Sequence, residues 1–509
     1  MFSIAELGQK ISKTEFKEQA PLLRRELLDA QHRLRKLAKC PVIIVFAGVN
    51  GAGKGETVNL LNAWMDPRWL ITRAYDKPSE EEQERPEYWR FWRDQPHKGL
   101  IGLFLSSWYS RPLLGRVHKS IDDACFNDLL ERINRFEKAL TDDNALILKF
   151  WMHLSKNAQK KRFKQLEKDE LNSWRIKEED WDNWRLYEKF EETAERVIMK
   201  TSTGNAPWKI VEGTDYNFRS LTVGTTIRDE LTAHLDKLED IAKSSSQASQ
   251  PVHSENGAQP HRGSTILDVM DMTLSLNKSQ YNKDLKRYQA KLNKLQRQAH
   301  EKKLSTILVF EGPDAAGKGG AIRRMTAALD ARHYQVLPIA APTDEEKAQH
   351  YLWRFWRRLP RGGRITIFDR SWYGRVLVER VEGLASTDEW RRAYSEINEF
   401  EEELTESGIV LVKFWIHVTK DEQHRRFKER EETPHKQWKL TSEDWRNREK
   451  WEEYEQAINA IVERSSTRTA PWTLIEGNDK RHARVKVIKT VCECMEEALK
   501  GETKPWYII

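Results

Sequence analysis

Cysteine is scarce in this sequence, four residues in 509, and that scarcity excludes a disulfide-stapled fold. Cys492 and Cys494 lie two apart with no second pair to complete a zinc site. All four are therefore expected to be reduced and incidental. Long apolar runs are missing too: nothing approaches the roughly 18–20 residues that a membrane-spanning helix needs. The opening stretch MFSIAELGQKISKTEF acquires Glu6 and Lys10 before any signal-peptide-like run forms. These absences predict a soluble, cytoplasmic protein with no membrane partner. Nor is there a large surplus of either charge, since 86 basic residues face 79 acidic ones for a net +7. Such a surplus permits a polyanionic partner without specifying it. The basic residues are scattered, and no nucleic-acid-binding module is recognisable, which argues against nucleic acid.

What the sequence does have is repetition. GVNGAGKGE at Gly48–Glu56 returns as GPDAAGKGG at Gly312–Gly320, 264 positions later. The same offset, without a gap, pairs WRFW at Trp89–Trp92 with Trp353–Trp356, and SWYSR at Ser107–Arg111 with SWYGR at Ser371–Arg375. It also pairs KFWMH at Lys149–His153 with KFWIH at Lys413–His417. One register held this long identifies a tandem duplication. The expected layout is a first domain over 1–243, a flexible Ser/Gln/Pro/Gly-rich linker over 244–264 and a second domain over 265–509.

Each copy reads as alternating strands and helices. In the second, TILVFEG (Thr306–Gly312), ITIF (Ile365–Phe368), IVLVKFWIHV (Ile409–Val418) and TLIEG (Thr473–Gly477) are the expected strands. The fold class is therefore α/β, a parallel sheet flanked by helices in each copy. A long charged helix, Lys278–Lys303, precedes the unit, its charges expected to face solvent. Tryptophans recurring at matched positions, Trp353/Trp89, Trp372/Trp108, Trp415/Trp151 and Trp438/Trp174, are expected to be shared core. His153 and His417, each ending an apolar strand, are expected to be satisfied structural histidines.

A glycine-rich loop closing on lysine, directly after a strand and before a helix, is a phosphate cradle. Glycines let successive N–H groups turn toward one anion, and the helix N-terminus adds partial positive charge. In the second copy the loop residues are Gly312, Ala315, Ala316, Gly317, Gly319 and Gly320, with Lys318 supplying a full charge. The residue after the lysine is Gly319, not the usual Ser or Thr hydroxyl that holds Mg²⁺. Asp314 in the loop and Asp369 at the end of the ITIF strand are then the candidate Mg²⁺ ligands, since that ion prefers carboxylate, phosphate and water oxygens.

GPDAAGKGG, YLWRFWRRLP, FDRSWYGRVLVERV and RFKEREETPHKQWKLTSEDW, in that order, resemble the polyphosphate kinase 2 family across Leu304–Asp479, and more weakly across the first copy. The resemblance implies tandem thymidylate-kinase-like P-loop domains with a mobile helical basic lid, and Mg²⁺-dependent phosphoryl transfer between inorganic polyphosphate and a nucleotide. Tandem members resemble enzymes that phosphorylate AMP to ADP. The alternatives are an ADP-phosphorylating member, an ordinary ATP-dependent nucleotide kinase, or, from another class, a nucleic-acid-binding NTPase. By the same resemblance, Lys318 grips phosphates, Asp314 and Asp369 organise Mg²⁺ and the acceptor, and Arg370 and Arg430 stabilise the transferring phosphoryl group. The lid spans His424–Lys439 and is broken at Pro434. A second basic cluster, Arg354, Arg357, Arg358, Arg361 and Arg364, is a candidate lining for a polyphosphate channel. Oligomerisation of the chain with itself is left open.

The two copies are not equivalent. Lys54 matches Lys318, but Asn50 stands for Asp314, Leu105 for Asp369, Ser106 for Arg370 and Leu166 for Arg430. Without carboxylates or arginines to handle charge, the first copy is expected to be catalytically inert and to serve as a packing partner, with Lys54, Arg90 and Arg93 as candidate guides for polyphosphate.

Overall fold

The computed structural model describes residues 1–170, 173–247, 265–434 and 442–501. Ten short, β-branched-rich runs form the strands. In the first copy they are β1 (Val42–Gly48), β2 (Leu70–Ala74), β3 (Ile101–Leu105), β4 (Leu146–His153) and β5 (Trp208–Glu212). In the second they are β6 (Thr306–Glu311), β7 (Tyr334–Pro338), β8 (Ile365–Asp369), β9 (Val410–His417) and β10 (Trp472–Glu476). Each set makes one five-stranded parallel sheet, ordered β2-β3-β1-β4-β5 and, identically, β7-β8-β6-β9-β10. The central strands carry no polar alternation because helices cover both faces.

One face of the second sheet packs on the helices Lys278–Glu301 and Lys480–Ala498, around Leu308, Phe310, Val487 and Met495. The matching helices Lys13–Leu37 and Tyr216–Gln247 cover the first sheet. The helix ending at Gln247 takes in the first four positions of the expected linker, and 248–264 lie outside the described residues. On the other face, a single apolar core runs through both copies. The recurring tryptophans sit there: Trp89, Trp108, Trp151, Trp353, Trp372 and Trp415 are all at most 5% exposed. Trp174 is the exception at 74% exposed, and Trp438 lies outside the described residues. Repetition at that position therefore does not signal core packing.

Both copies bury the same ion pair. Lys413 Nζ on β9 donates to Glu401 Oε2 at 2.6 Å, to the Tyr373 hydroxyl at 2.9 Å and to the Ser465 carbonyl at 2.8 Å. Lys149 repeats this with Glu137, Tyr109 and Thr201. The lysine of each KFW motif thus ties the strand to the SWY segment, and its charge is paired as burial requires.

The copies meet about an approximate two-fold axis. Trp92 stacks on its own counterpart, Trp356, with ring centroids 5.8 Å apart and planes 11° apart. Arg85 Nε donates to the Leu359 carbonyl, and with copies exchanged Gln349 Nε2 donates to the Gln95 carbonyl, both at 3.2 Å. That exchange is the signature of an isologous interface, here closed within one chain. Arg361 pairs with Glu84 at 2.7 Å, and Arg132 pairs with Glu406.

Candidate active site

The site is built where β6 and β8 end, at the carboxyl edge of the second sheet, as open α/β sheets favour. Gly312 turns the chain out of β6 at φ +145°, and a Cβ there would lie 2.4 Å from the Ile416 carbonyl, so only glycine fits. Gly317, at φ +114°, is the N-cap of the helix Lys318–Thr326. Gly320 N donates to the Gly317 carbonyl at 3.0 Å, and the N–H groups at the very start of the helix lie ahead of any i−4 acceptor within it. Lys318 Nζ folds back onto the loop, donating to the carbonyls of Gly312 at 2.5 Å and Pro313 at 3.3 Å. Burial pushes its ammonium pKa down, against the pull of Asp314.

The Asp314 carboxylate is held from two sides of the chain. Arg370 Nη2 donates to its Oδ1 at 2.8 Å, and Asn447 Nδ2 to its Oδ2 at 3.1 Å. Burial alone would raise the Asp314 pKa, but Lys318, Arg370, the Asn447 hydrogen bond and Arg430 together hold it below the usual carboxylate range. The charge of Arg430, half-buried on the lid helix Lys420–Glu431, therefore acts at the loop. Arg370 sits in left-handed backbone, φ +65°, which re-aims it as the chain leaves β8. Asp369 ends β8 with a half-buried carboxylate that accepts no hydrogen bond among the described residues. Asp314 and Asp369 both act electrostatically on Lys318, and two carboxylates at this edge fit a hard divalent cation.

All five candidate catalytic residues and the glycine-rich loop thus converge on one edge. Sequence reasoning missed four others. Arg426, 3% exposed, spans the lid and the loop, donating from Nη1 to the carbonyls of Ala315 and Ala316, both at 2.9 Å. From Nη2 it donates to the carbonyls of Gly477 at 2.6 Å and Asn478 at 3.0 Å. Gln423 Nε2 donates to the Asp314 carbonyl at 3.0 Å. Asn447 is the third. Glu311, the last residue of β6, is buried and accepts from Ser371 Oγ at 2.8 Å. Burial raises its pKa, opposed by Ser371, Lys318 and Arg370. The one signal for Glu311 was its replacement by Ala47 in the first copy.

The lid helix ends at Glu431, three residues before Pro434, and a further helix runs over Ser442–Glu449. His435, Lys436 and Lys439 lie outside the described residues. The basic cluster does not line this site. Arg357, Arg358, Arg361 and Arg364 surround a pocket with Tyr334 and Ile365, the first residues of β7 and β8, at the edge opposite the loop. Arg354 is spent on Glu346 and the Ala340 carbonyl. In the first copy, Arg90 pairs with Glu82 and the Asp76 carbonyl, and Arg93 with Glu82 and Asp94. Neither is presented as a guide for a polyanion. His417, expected to be satisfied, has a buried Nδ1 without a hydrogen-bond partner among the described residues.

The first copy's loop still borders a cavity of about 250 Å³, but it differs from the second copy's in more than its missing carboxylates. Where Gly320 stands, Glu56 puts a carboxylate in the helix's first turn. Arg219 lies across the loop, bonded to Glu56 at 2.7 Å and to the Gly213 carbonyl at 2.9 Å.

The model of the polyphosphate kinase 2 (PPK2) family matches twice, over residues 10–239 and 275–503. The chain is 49% identical over 504 residues to a polyphosphate:AMP phosphotransferase of Pseudomonas syringae pv. tomato, covering 99% of this chain and 100% of that one. It is 50% identical over 502 residues to a polyphosphate:AMP phosphotransferase of Pseudomonas aeruginosa, with 99% and 100% covered. An ADP-polyphosphate phosphotransferase of Rhizobium meliloti is 43% identical over 214 residues, 42% of this chain and 70% of that protein. A crystal structure of a polyphosphate kinase 2 from Pseudomonas aeruginosa superposes with TM-score 0.87 at 47% identity, covering 98% of this chain and 99% of that one.

Proposed function

The chain belongs to the polyphosphate kinase 2 family, and from that premise we propose that it moves the terminal phosphoryl group of inorganic polyphosphate onto AMP, yielding ADP and a polyphosphate shorter by one unit. The observation that carries this reading is the whole-chain match to polyphosphate:AMP phosphotransferases, tandem copies included, against a match over 42% of the chain for an ADP-phosphorylating relative. The reaction belongs to the second copy, 265–509, and the first copy, 1–243, is its structural partner. The enzyme works in the cytoplasm.

Phosphoryl transfer asks the protein for alignment and charge neutralisation more than for covalent chemistry. Lys318 leaves the carbonyls of Gly312 and Pro313 for the donor's phosphate oxygens, and the loop N–H groups bind the same anion. Arg370 and Arg430 flank the transferring group, their planar forks suited to two phosphate oxygens each. Asp314 and Asp369 would hold Mg²⁺, which would supply charge neutralisation at the phosphate oxygens. Arg426 and Gln423 fix the lid's root on the loop, so that Arg430 approaches from a set direction. Purified protein should form ADP from AMP plus polyphosphate, and should be at least tenfold slower with ADP plus polyphosphate or with AMP plus ATP. Preference for either of those pairs would overturn the assignment.

A further inference from the structure

Beside the loop lies a cavity of about 80 Å³ that the chemistry described so far does not use. Asp314, Arg370, Leu377, Trp415, His417 and Tyr454 are among the residues that line it. Leu267, 4% exposed, also lines it, from the short arm that follows 248–264 and precedes the helix Lys278–Glu301. The arm is anchored: Thr265 Oγ1 donates to Asp268 at 2.9 Å, and Leu276 N donates to Asp479 at 3.3 Å.

The duplication supplies an internal control. In the first copy, Ile11 N donates to Asp215 at 3.4 Å, and Asp215 is the counterpart of Asp479. Because the first helix is 25 residues long and its counterpart 24, the arms match with an offset of 265, and Leu267 corresponds to Phe2. Phe2, also 4% exposed, lies flat on His153, with ring centroids 4.6 Å apart and planes 4° apart. It packs against Trp151 at 5.9 Å. His153 and Trp151 are the counterparts of His417 and Trp415. An aromatic ring thus occupies, in the inert copy, the place that borders the cavity in the copy with the full charge-handling set. Among the described residues, Trp415 Nε1 and His417 Nδ1 are buried without hydrogen-bond partners; so are Trp151 Nε1 and His153 Nδ1. Those nitrogens are common to both copies. The side chain on the arm is what differs.

We propose that Leu267 is a specificity-determining residue: the arm forms a wall of the acceptor pocket, where the planar base stacks on His417 beside Trp415, and Phe2 is the first copy's built-in occupant of the same place. This rests on the phosphotransferase reading of the site. A leucine leaves depth for a planar ring where a phenylalanine would fill it, and the unpartnered nitrogens give the base polar edges to meet.

The test is steady-state kinetics on the full-length chain. Leu267→Phe should raise the KM for AMP by about tenfold or more, the size of a filled apolar pocket, while the KM for polyphosphate and the kcat at saturating AMP stay within about twofold. Leu267→Ala serves if the phenylalanine variant does not fold. It should lower the preference for AMP over N6-benzyl-AMP by about tenfold, because it enlarges the same wall. An AMP KM within twofold of wild type in folded Leu267→Phe, equal rises in both KM values, or an unmoved acceptor ratio in Leu267→Ala would each overturn the proposal. Wild type run alongside separates the two ideas. No ADP from AMP and polyphosphate removes the phosphotransferase reading, whereas normal wild-type turnover with an unmoved acceptor KM removes only the arm.

Discussion

Two lysines in this chain have nearly the same surroundings and, on the reading above, unequal duties. Lys318 bonds the carbonyls of Gly312 and Pro313; Lys54 bonds those of Gly48, at 2.6 Å, and Val49, at 3.1 Å. Burial pushes both ammonium groups down in pKa. Replacing either by alanine therefore removes two loop hydrogen bonds, each worth about 0.5–1.5 kcal/mol net. The unfolding free energy should fall by a similar ~1–3 kcal/mol in both variants. Turnover should separate them. Lys318→Ala removes a charge at the transferring phosphate, about 3–4 kcal/mol of transition-state stabilisation, or several hundredfold in rate. Lys54→Ala should stay within about twofold of wild type, because the first copy has Asn50, Leu105, Ser106 and Leu166 where the second has Asp314, Asp369, Arg370 and Arg430. The assay is coupled ADP formation from AMP and saturating polyphosphate, with urea unfolding of each variant in parallel. If Lys318→Ala keeps more than a tenth of wild-type turnover, or Lys54→Ala loses as much, the assignment of catalysis to the second copy is wrong.

Asp369→Asn should likewise cost several hundredfold in turnover without loss of stability, since that carboxylate has no structural hydrogen bond to lose; an active variant places the metal elsewhere. Lys413→Ala should destabilise by about 3–5 kcal/mol, because Glu401 is left buried and uncompensated, as read by urea unfolding. Glu399 lines the pocket between the copies, and burial chiefly raises its pKa from 4.5 to about 6. Its folded form binds the extra proton, so stability should fall as pH rises from 4.5 to about 6 and stay lower above. Glu399→Gln should thus gain about 1 kcal/mol at pH 7.5 and nothing near pH 4.5; a gain that is the same at both pH values rejects this. The second copy expressed alone, 265–509, should be weak or unstable and recover when the first copy is added, because Trp353 and Trp356 then regain their shared core; a stable, fully active fragment refutes the partner role.

The sequence by itself determined the duplication, the parallel α/β architecture and the phosphate loop with its acidic and basic partners. Those features are written along the chain: a constant register, apolar runs closed by glycine, and motifs whose residues lie next to one another. It also displayed the loss of Asp314, Asp369, Arg370 and Arg430 from the first copy, because matched positions can be compared without knowing where they sit. Tertiary structure decided what depends on distant parts of the chain meeting. Arg426 looked like one more charge on a solvated helix face until the helix was laid against the loop, where it bonds four carbonyls. Arg357, Arg358, Arg361 and Arg364 share a motif with the site but fall at the opposite edge, since a strand carries its two ends apart. Phe2 and Leu267 gave no periodic or motif signal, and their equivalence is hidden by a one-residue shift in the helices that follow them. Burial of a side chain against residues hundreds of positions away leaves no trace in local pattern, and so the walls of the pocket were decided by packing alone.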